Sequence, residues 1–260
     1  MKSSFITVAV TVLALGTAGG LGRALVAPTR AALRLRQSSW RVDFPDGAAG
    51  LVRGGALLGG FRTLAADFLW LRVNVLWEKR DLPGAMQNLR LVTALDPRPL
   101  VFWLNGARMM AYDMPAWRVA ALGGRAVGAG GVARRIESDQ AHLALAWLDA
   151  ALKFHPASPA VFIERANIRI NCLHDPAAAA EEYRRAAGQP GAPRYAARLH
   201  AEMLRRAGRK TEALAWLVAL HAGLPRNDEA AAADLVLARI RDLEAELGIP
   251  PGESYRVQEL

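Results

Sequence analysis

The apolar residues of this chain recur every three to four positions over most of its length, which is the period of an amphipathic helix. Leu89, Val92 and Leu95 line one such helix, and Ala144, Leu148 and Ala151 line another. No stretch sustains the two-residue alternation of a strand, so the pattern predicts an all-α protein. The predicted helices form pairs: 62–80 with 83–95, 159–173 with 176–187 and 194–207 with 210–223 across short turns, and 99–112 with 138–154 across a longer segment.

Four prolines end the second helices of these pairs and set a repeat. The last two intervals between them are 34 and 35 residues, and the first is 59, which is one period plus an insertion of 25 residues at 113–137. An alanine precedes each proline by twelve residues. The prolines are Pro97, Pro156, Pro190 and Pro225, and the alanines are Ala85, Ala144, Ala178 and Ala213. A period near 34 residues predicts stacked helix-turn-helix units.

Further positions repeat with the same spacing. The first unit has Leu69, Val73 where a small residue is expected, Ala85, Leu89 and Pro97; the second has Trp103, Ala107, Ala144, Leu148, Ala151 and Pro156; the third has Phe162, Ala166, Ala178, Tyr183 one place late and Pro190; the fourth has Ala201, Ala213, Leu217 and Pro225. This pattern resembles that of tetratricopeptide-repeat proteins. The resemblance implies a solenoid of helix pairs whose concave surface binds a protein or peptide.

The segments 59–72 and 102–117 resemble parts of membrane-anchored repeat proteins of bacteria. Before the repeats, an uncharged apolar run predicts a transmembrane anchor at 1–27, and a basic, then glycine-rich, link follows at 28–62. Four tetratricopeptide-like helix pairs follow at 63–225. A capping helix at 226–247, with Leu235, Leu237, Ile240, Leu243 and Leu247 on its inner side, precedes a loose tail at 248–260.

Residues 5–22 carry no charge, and that length is near the minimum for a membrane-spanning helix. We therefore predict an N-terminal transmembrane helix in a bacterial inner membrane, flanked by Arg23, Arg30, Arg34 and Arg36. The alternative is a signal peptide cleaved after Gly16-Thr17-Ala18. The flanking arginines favour a cytoplasmic location for the rest of the chain. A start with one lysine before the apolar run is also common in exported proteins, which leaves the periplasm open.

The net charge of +9 is concentrated near the N-terminus, because from Asp43 onward 27 basic residues face 24 acidic ones. The remainder is nearly neutral and shows no nucleic-acid module, so nucleic acid is not an expected partner. Cys172 is the only cysteine, which excludes an intrachain disulfide or cysteine cluster, and we expect it to be a buried thiol.

Motifs for catalysis are missing from the sequence. The glycine-rich run at 123–131 lacks the lysine and serine or threonine of a phosphate loop, and no nucleophile elbow or paired metal-binding motif occurs. We expect surface or turn positions for His142, His155, His174, His200 and His221, with no metal site. The sequence thus predicts a protein that is not an enzyme and has no cofactor.

The favoured hypothesis is a membrane-anchored scaffold that binds a protein or peptide, including acidic segments, within a bacterial envelope assembly. The repeat spacing predicts a polar, net positive groove formed by Asn74, Arg108, Asn167, Asn171, Arg198 and Arg205. These residues could equally form a solvated face. The alternative function is an enzyme or enzyme subunit of envelope polysaccharide or peptidoglycan metabolism, which rests on location and analogy alone.

Two further expectations concern single residues. Trp70 and Trp77 are seven residues apart and share one helix face, where they either pack against residues 41–62 or contact a partner. Ala144 is expected at a tight helix contact, whereas replacing Glu202 with alanine is expected to be silent.

Overall fold

The computed structural model describes residues 61–123, 131–225 and 231–257, and within them it is helical without strands. The all-α prediction is therefore confirmed for this part of the chain. In chain order the helices are α1 (Arg62–Glu78), α2 (Leu82–Leu95), α3 (Leu100–Arg108), a π-helical segment (Met109–Asp113), α4 (Met114–Ala121), α5 (Val132–Leu152), α6 (Pro159–Asn171), α7 (Pro176–Ala187), α8 (Tyr195–Arg206), α9 (Lys210–Ala222) and α10 (Ala233–Leu247).

The predicted anchor at 1–27 and nearly all of the link at 28–62 lie outside the described residues. Among the residues that are described, no helix combines the length and apolar character that crossing a membrane requires.

From Leu69 onward the chain forms one compact unit in which helices that follow one another in sequence pack together. α6 packs on α7, α7 on α8, α8 on α9 and α9 on α10, while α5 contacts α3, α4 and α6. The connections from α6 to α7 and from α8 to α9 are short turns, as helical hairpins require.

Small residues lie fully buried where the helices meet. Ala85, Ala179 and Ala213 are each the fourth residue of their helices, α2, α7 and α9, and each has no exposed surface. The expectation for Ala178 is wrong, because that side chain is only half-buried and its neighbour Ala179 occupies the contact. Leu89, Tyr183 and Leu217 follow as the eighth residues of the same helices and are also buried. In these three helices the buried positions thus recur at a fixed distance from the first residue of the helix, and not at a fixed distance before the following proline.

Two of these starts carry the same cap. Asp81 accepts a hydrogen bond from the Gly84 backbone N–H at 3.0 Å, and Asp175 accepts one from the Ala178 N–H at 2.9 Å. In both helices a proline, Pro83 or Pro176, occupies one of the first two positions. There the missing N–H costs nothing and the fixed φ favours the helix.

The insertion predicted at 113–137 is partly helical. The chain continues from α3 through the π-helical segment into α4, and α5 begins at Val132, six residues before the predicted start at Ser138. Ile136, Gln140 and Ala144 lie on one buried face of α5, so the residues before Ser138 share the packing of those that follow. Residues 124–130 lie outside the described part of the chain.

The buried face predicted for the C-terminal helix α10 is confirmed at Ile240 and Leu243 and wrong at Leu235, where the neighbouring Val236 is buried instead. Val236, Ile240 and Leu243 are buried, whereas Leu235 is 54% exposed. The tail after α10 is not loose at Tyr255, whose backbone N–H donates to Glu244 Oε1 at 2.5 Å and whose carbonyl accepts from Arg241 at 2.7 Å. These bonds hold the tail against α10.

Candidate functional site

A set of polar side chains runs from α3 through the π-helical segment to α6 and α7. We call it the polar row; its members are Arg108, Tyr112, Glu164, Asn167, Asn171 and Tyr183. Arg108 donates through Nε to Glu164 Oε2 at 2.9 Å, and its Nη2 lies 2.8 Å from the same oxygen. Glu164 is buried whereas Arg108 is exposed, so the ion pair presents only its cationic half to solvent.

Tyr112 reaches the row from the π-helical segment. Tyr112 is 39% exposed, and its phenol lies beside the side chains of Asn171 and Arg108. Partial burial raises the pKa of Tyr112 to about 12, so the phenol stays protonated at physiological pH. π-helical turns are rare and occur often at functional sites, because the extra residue per turn redirects side chains.

At the other end of the row, the buried Tyr183 hydroxyl donates to Asn167 Oδ1 at 2.7 Å. Three predicted groove residues, Arg108, Asn167 and Asn171, therefore lie in one row together with two tyrosines that were not predicted. Asn74 is half-buried on α1, and no contact seen in the described ranges joins it to the row.

The remaining predicted groove residues, Arg198 and Arg205, line a separate pocket of about 240 Å³ between α8, α9 and α10, which we call the α8–α10 pocket. Its floor consists of Ala201, Leu217, Val236 and Leu243, all nearly fully buried. Its rim includes the exposed Leu235 and the charged residues Arg198, Glu202, Arg205, Arg239 and Asp242.

The predicted net positive lining is largely neutralised. Arg108 pairs with Glu164, and Arg205 pairs with Glu202 at 3.0 Å and with Glu246 at 3.4 Å. Of the three predicted arginines, Arg198 alone forms no ion pair within the described ranges. The free positive charge of the predicted set is therefore located at the α8–α10 pocket.

Glu202 is central to this charge network, and the expectation that its removal is silent conflicts with its contacts. Its carboxylate accepts hydrogen bonds from Arg205 and Arg206 and lies 3.8 Å from Arg239. The hydrogen bond from Arg205 is the main reason that the pKa of Glu202 falls to about 2. Such a shift means that the folded protein stabilises the ionised carboxylate.

Sequence reasoning also missed a buried charge cluster between α5, α6 and α7. Arg165, only 6% exposed, donates to Glu182 Oε1 at 2.8 Å and forms a short contact with Asp149. Arg169 also donates to Glu182, at 3.2 Å. Arg165 is three residues from the buried Phe162 and Ile168. Glu182 is three or four residues from the buried Ala179 and Ala186, so a charged residue among the buried positions of each helix was the available signal. This cluster joins helices; no ligand contact is implied.

The two alternatives expected for Trp70 and Trp77 stay predictions, because residues 41–60 lie outside the described part of the chain and no partner is present. The Trp70 ring lies 5.3 Å from that of Phe102, and the Trp77 indole donates to Asp113 Oδ2 at 2.9 Å near the Trp117 ring. Both tryptophans therefore contact the second helix pair and the insertion. The predicted packing of Trp103 is confirmed, since it is 4% exposed and its indole donates to the Pro97 carbonyl at 2.8 Å.

The expectation of surface histidines is wrong for His200, which is buried with Nδ1 2.8 Å from the Ala180 carbonyl oxygen. Burial lowers the pKa of His200, which keeps the ring neutral. Cys172 is half-buried at the end of α6, and burial raises the pKa of its thiol to about 11. Among the described side chains, no cluster of three or more metal-ligating groups occurs.

Comparison with known proteins finds no family model, no curated protein and no solved structure that matches this chain.

Proposed function

We propose that this protein is a membrane-anchored, tetratricopeptide-like scaffold that binds a protein or peptide partner in a bacterial envelope assembly. The observation that carries the proposal is the π-helical turn that places Tyr112 beside Arg108 and Asn171. A regular α-helix through Met109–Asp113 would direct these side chains differently, because a π turn contains one residue more.

The chemistry of the polar row suits a polypeptide ligand. Tyr112 offers an amphipathic ring with a hydroxyl, Asn171 offers an amide donor and acceptor, and Arg108 presents an exposed guanidinium held by Glu164. Tyrosine and arginine are enriched at protein interfaces, because each combines apolar contact area with hydrogen bonding. The ion pair also fixes the Arg108 side chain before a partner arrives, which lowers the entropy cost of binding.

Anchoring is the part of the proposal that depends on the N-terminal sequence. The uncharged run at 5–22 and the arginines that follow it favour a single-pass helix in the inner membrane, with the cytoplasmic side favoured over the periplasmic one. We expect the full-length chain to resist extraction from membranes by carbonate and by high salt. A chain that begins at Asp43 should be soluble. Intact mass of the native protein tests the rival cleavage, since a chain beginning at Gly19 would exclude the anchor.

Partner binding is tested by affinity isolation of the full-length protein from solubilised membranes, followed by quantitative mass spectrometry. Tyr112→Ser and Asn171→Ala remove the two uncharged members of the row that face solvent. We expect either change to reduce recovery of a specific partner by about fivefold or more, as loss of an interface hot spot does.

Arg90→Ala serves as the matched control, because Arg90 is exposed on α2 and belongs to neither site. It should leave recovery unchanged. Thermal unfolding of each variant separates loss of binding from loss of folding. A set of recovered proteins that is the same for the row variants and the control would contradict the proposal.

A further inference from the structure

The α8–α10 pocket has the size of one side chain. At about 240 Å³ it falls below the roughly 300–1,000 Å³ typical of sites for small-molecule ligands. Its floor of Ala201, Leu217, Val236 and Leu243 is apolar, and the exposed Leu235 extends that apolar surface to the rim. An apolar side chain inserted there would remove apolar surface of both the ligand and the pocket from water. This removal is the usual source of affinity in such pockets.

The charges around the pocket favour a ligand with a negatively charged group. Both carboxylates of the rim are already engaged: Glu202 by Arg205 and Arg206, and Asp242 by Arg239 at 3.2 Å. Arg198 has no such partner in the part of the chain that the structure describes, and it is half-buried, which reduces screening by solvent. A carboxylate brought to the rim would therefore meet a guanidinium free to form a forked pair.

The spacing of the two features limits the kind of ligand. Arg198 and Ala201 are three residues apart on α8, so their side chains begin about 5–6 Å apart. A matching ligand carries its apolar group and its carboxylate at a similar separation. Two side chains one turn apart on a helix meet this requirement.

We infer that the α8–α10 pocket binds a segment of a partner protein that presents one large apolar side chain and, one helical turn away on the same face, one acidic side chain. The apolar side chain contacts Ala201, Val236 and Leu243, and the acidic side chain pairs with Arg198. This inference rests on the proposed function, since its ligand belongs to a protein partner. It adds a second binding surface, formed jointly by α8 and the C-terminal helix α10.

The test is fluorescence anisotropy with labelled, alanine-rich helical peptides of about 20 residues, long enough to be helical alone. One pair of peptides carries Glu and Leu four residues apart, in either order. Matched peptides replace Glu with Gln or Leu with Ala. Full-length protein should bind one Glu–Leu peptide, and each replacement should weaken that binding by about tenfold.

Protein variants then locate the contact. Arg198→Ala should weaken binding by a similar factor and abolish the difference between the Glu and Gln peptides, which is the coupling expected of a direct pair. Arg198→Lys keeps the charge without the fork and should retain part of the difference. Arg90→Ala on α2 should change nothing. Because Arg198 forms no ion pair among the described residues, its variants should fold, and far-UV circular dichroism checks this.

Three results would overturn the inference. They are equal binding of the Glu and Gln peptides, a difference in affinity between these peptides that persists in Arg198→Ala, and no binding by either Glu–Leu peptide. The proposed function depends on Tyr112 and Asn171 and is measured with the native partner. A partner whose recovery needs those residues, together with peptides that fail to bind, would remove only the inference about the pocket.

Discussion

Gly106 on α3 lies against the indole of Trp147 on α5: a methyl group at Gly106 would be 3.0 Å from Trp147 Nε1. Trp147 has little freedom to move, because its indole donates to the Trp103 carbonyl at 3.1 Å and its ring centroid is 4.9 Å from that of Trp103. The absence of a side chain at Gly106 therefore allows α3 and α5 to approach each other.

This relationship predicts the effect of Gly106→Ala. A helical glycine replaced by alanine normally gains about 1 kcal/mol of stability from backbone entropy. Here overpacking against Trp147 should cost about 1–3 kcal/mol, so the net change should be destabilising. Urea unfolding measures it, and Gly188→Ala is the control, since a methyl group there meets only ordinary contacts at 3.7 Å. A more stable Gly106→Ala variant would show that Trp147 can shift.

The helix-start register predicts different effects for two adjacent alanines. Ala179→Leu should destabilise by about 1–3 kcal/mol, because Ala179 is fully buried where α7 meets its neighbours. Ala178→Leu should cost much less, since Ala178 is half-buried. Thermal or urea unfolding compares the two. A larger loss of stability in Ala178→Leu than in Ala179→Leu would instead support the assignment that counts twelve residues back from Pro190.

Glu202 predicts a dependence of stability on pH. Its pKa in the folded state is about 2, below the ordinary value of about 4.3 for an unfolded chain, so its contribution is complete above that ordinary value. As pH falls from about 4.5 toward 2, that contribution disappears. Glu202→Gln should therefore be less stable than the parent near pH 7, by about 1 kcal/mol because its arginine partners are partly exposed.

The difference between the parent and Glu202→Gln should shrink as the pH approaches 2, as measured by urea unfolding at several pH values. Glu253→Gln provides a control with an exposed carboxylate after α10. A gap in stability that stays constant between pH 7 and pH 3 would contradict the role assigned to Glu202.

Cys172 predicts slow alkylation in the folded state. Since burial raises the pKa of its thiol to about 11, the reactive thiolate is scarce at pH 8. The rate with iodoacetamide should reach half of its maximum at about pH 11 in the folded protein and at about pH 8.5 in urea. As the sole cysteine, Cys172 accounts for the whole signal. Equal rates with and without urea at pH 8 would show an accessible thiol.

The periodic apolar pattern was enough to predict most of the helices, because apolar spacing and helix-ending residues are local properties of a sequence. It did not predict α4 or the start of α5, which lie within the segment expected to be an insertion. Ala85, Leu89 and Trp103 were identified as packing positions for the same reason. Ala178 was misassigned because helix length varies: α7 has 12 residues and α9 has 13, although each ends three residues before its proline. Leu235 was misassigned because leucine and valine at adjacent positions allow two faces, and only contact with α9 selects Val236.

The site was less predictable, because it depends on pairs that are distant in sequence. Arg108 and Glu164 are 56 residues apart, and Tyr183 reaches Asn167 from the next helix. Taken singly in the sequence, each of these residues is typical of a solvent-exposed polar position. The π-helical turn at Met109–Asp113 has no periodic signature, because one extra residue looks the same as a change of face.

The caps at Asp81 and Asp175 have a consequence for how this chain tolerates change. Since each of these helices takes its register from its own first turn, an added residue in the preceding loop does not shift the buried alanine that follows. An insertion or deletion in one of these loops therefore changes only the loop and leaves the buried positions of the following helix unchanged. The connection before α2 or α7 can therefore gain a residue while Ala85 or Ala179 keeps its place as the fourth residue of its helix.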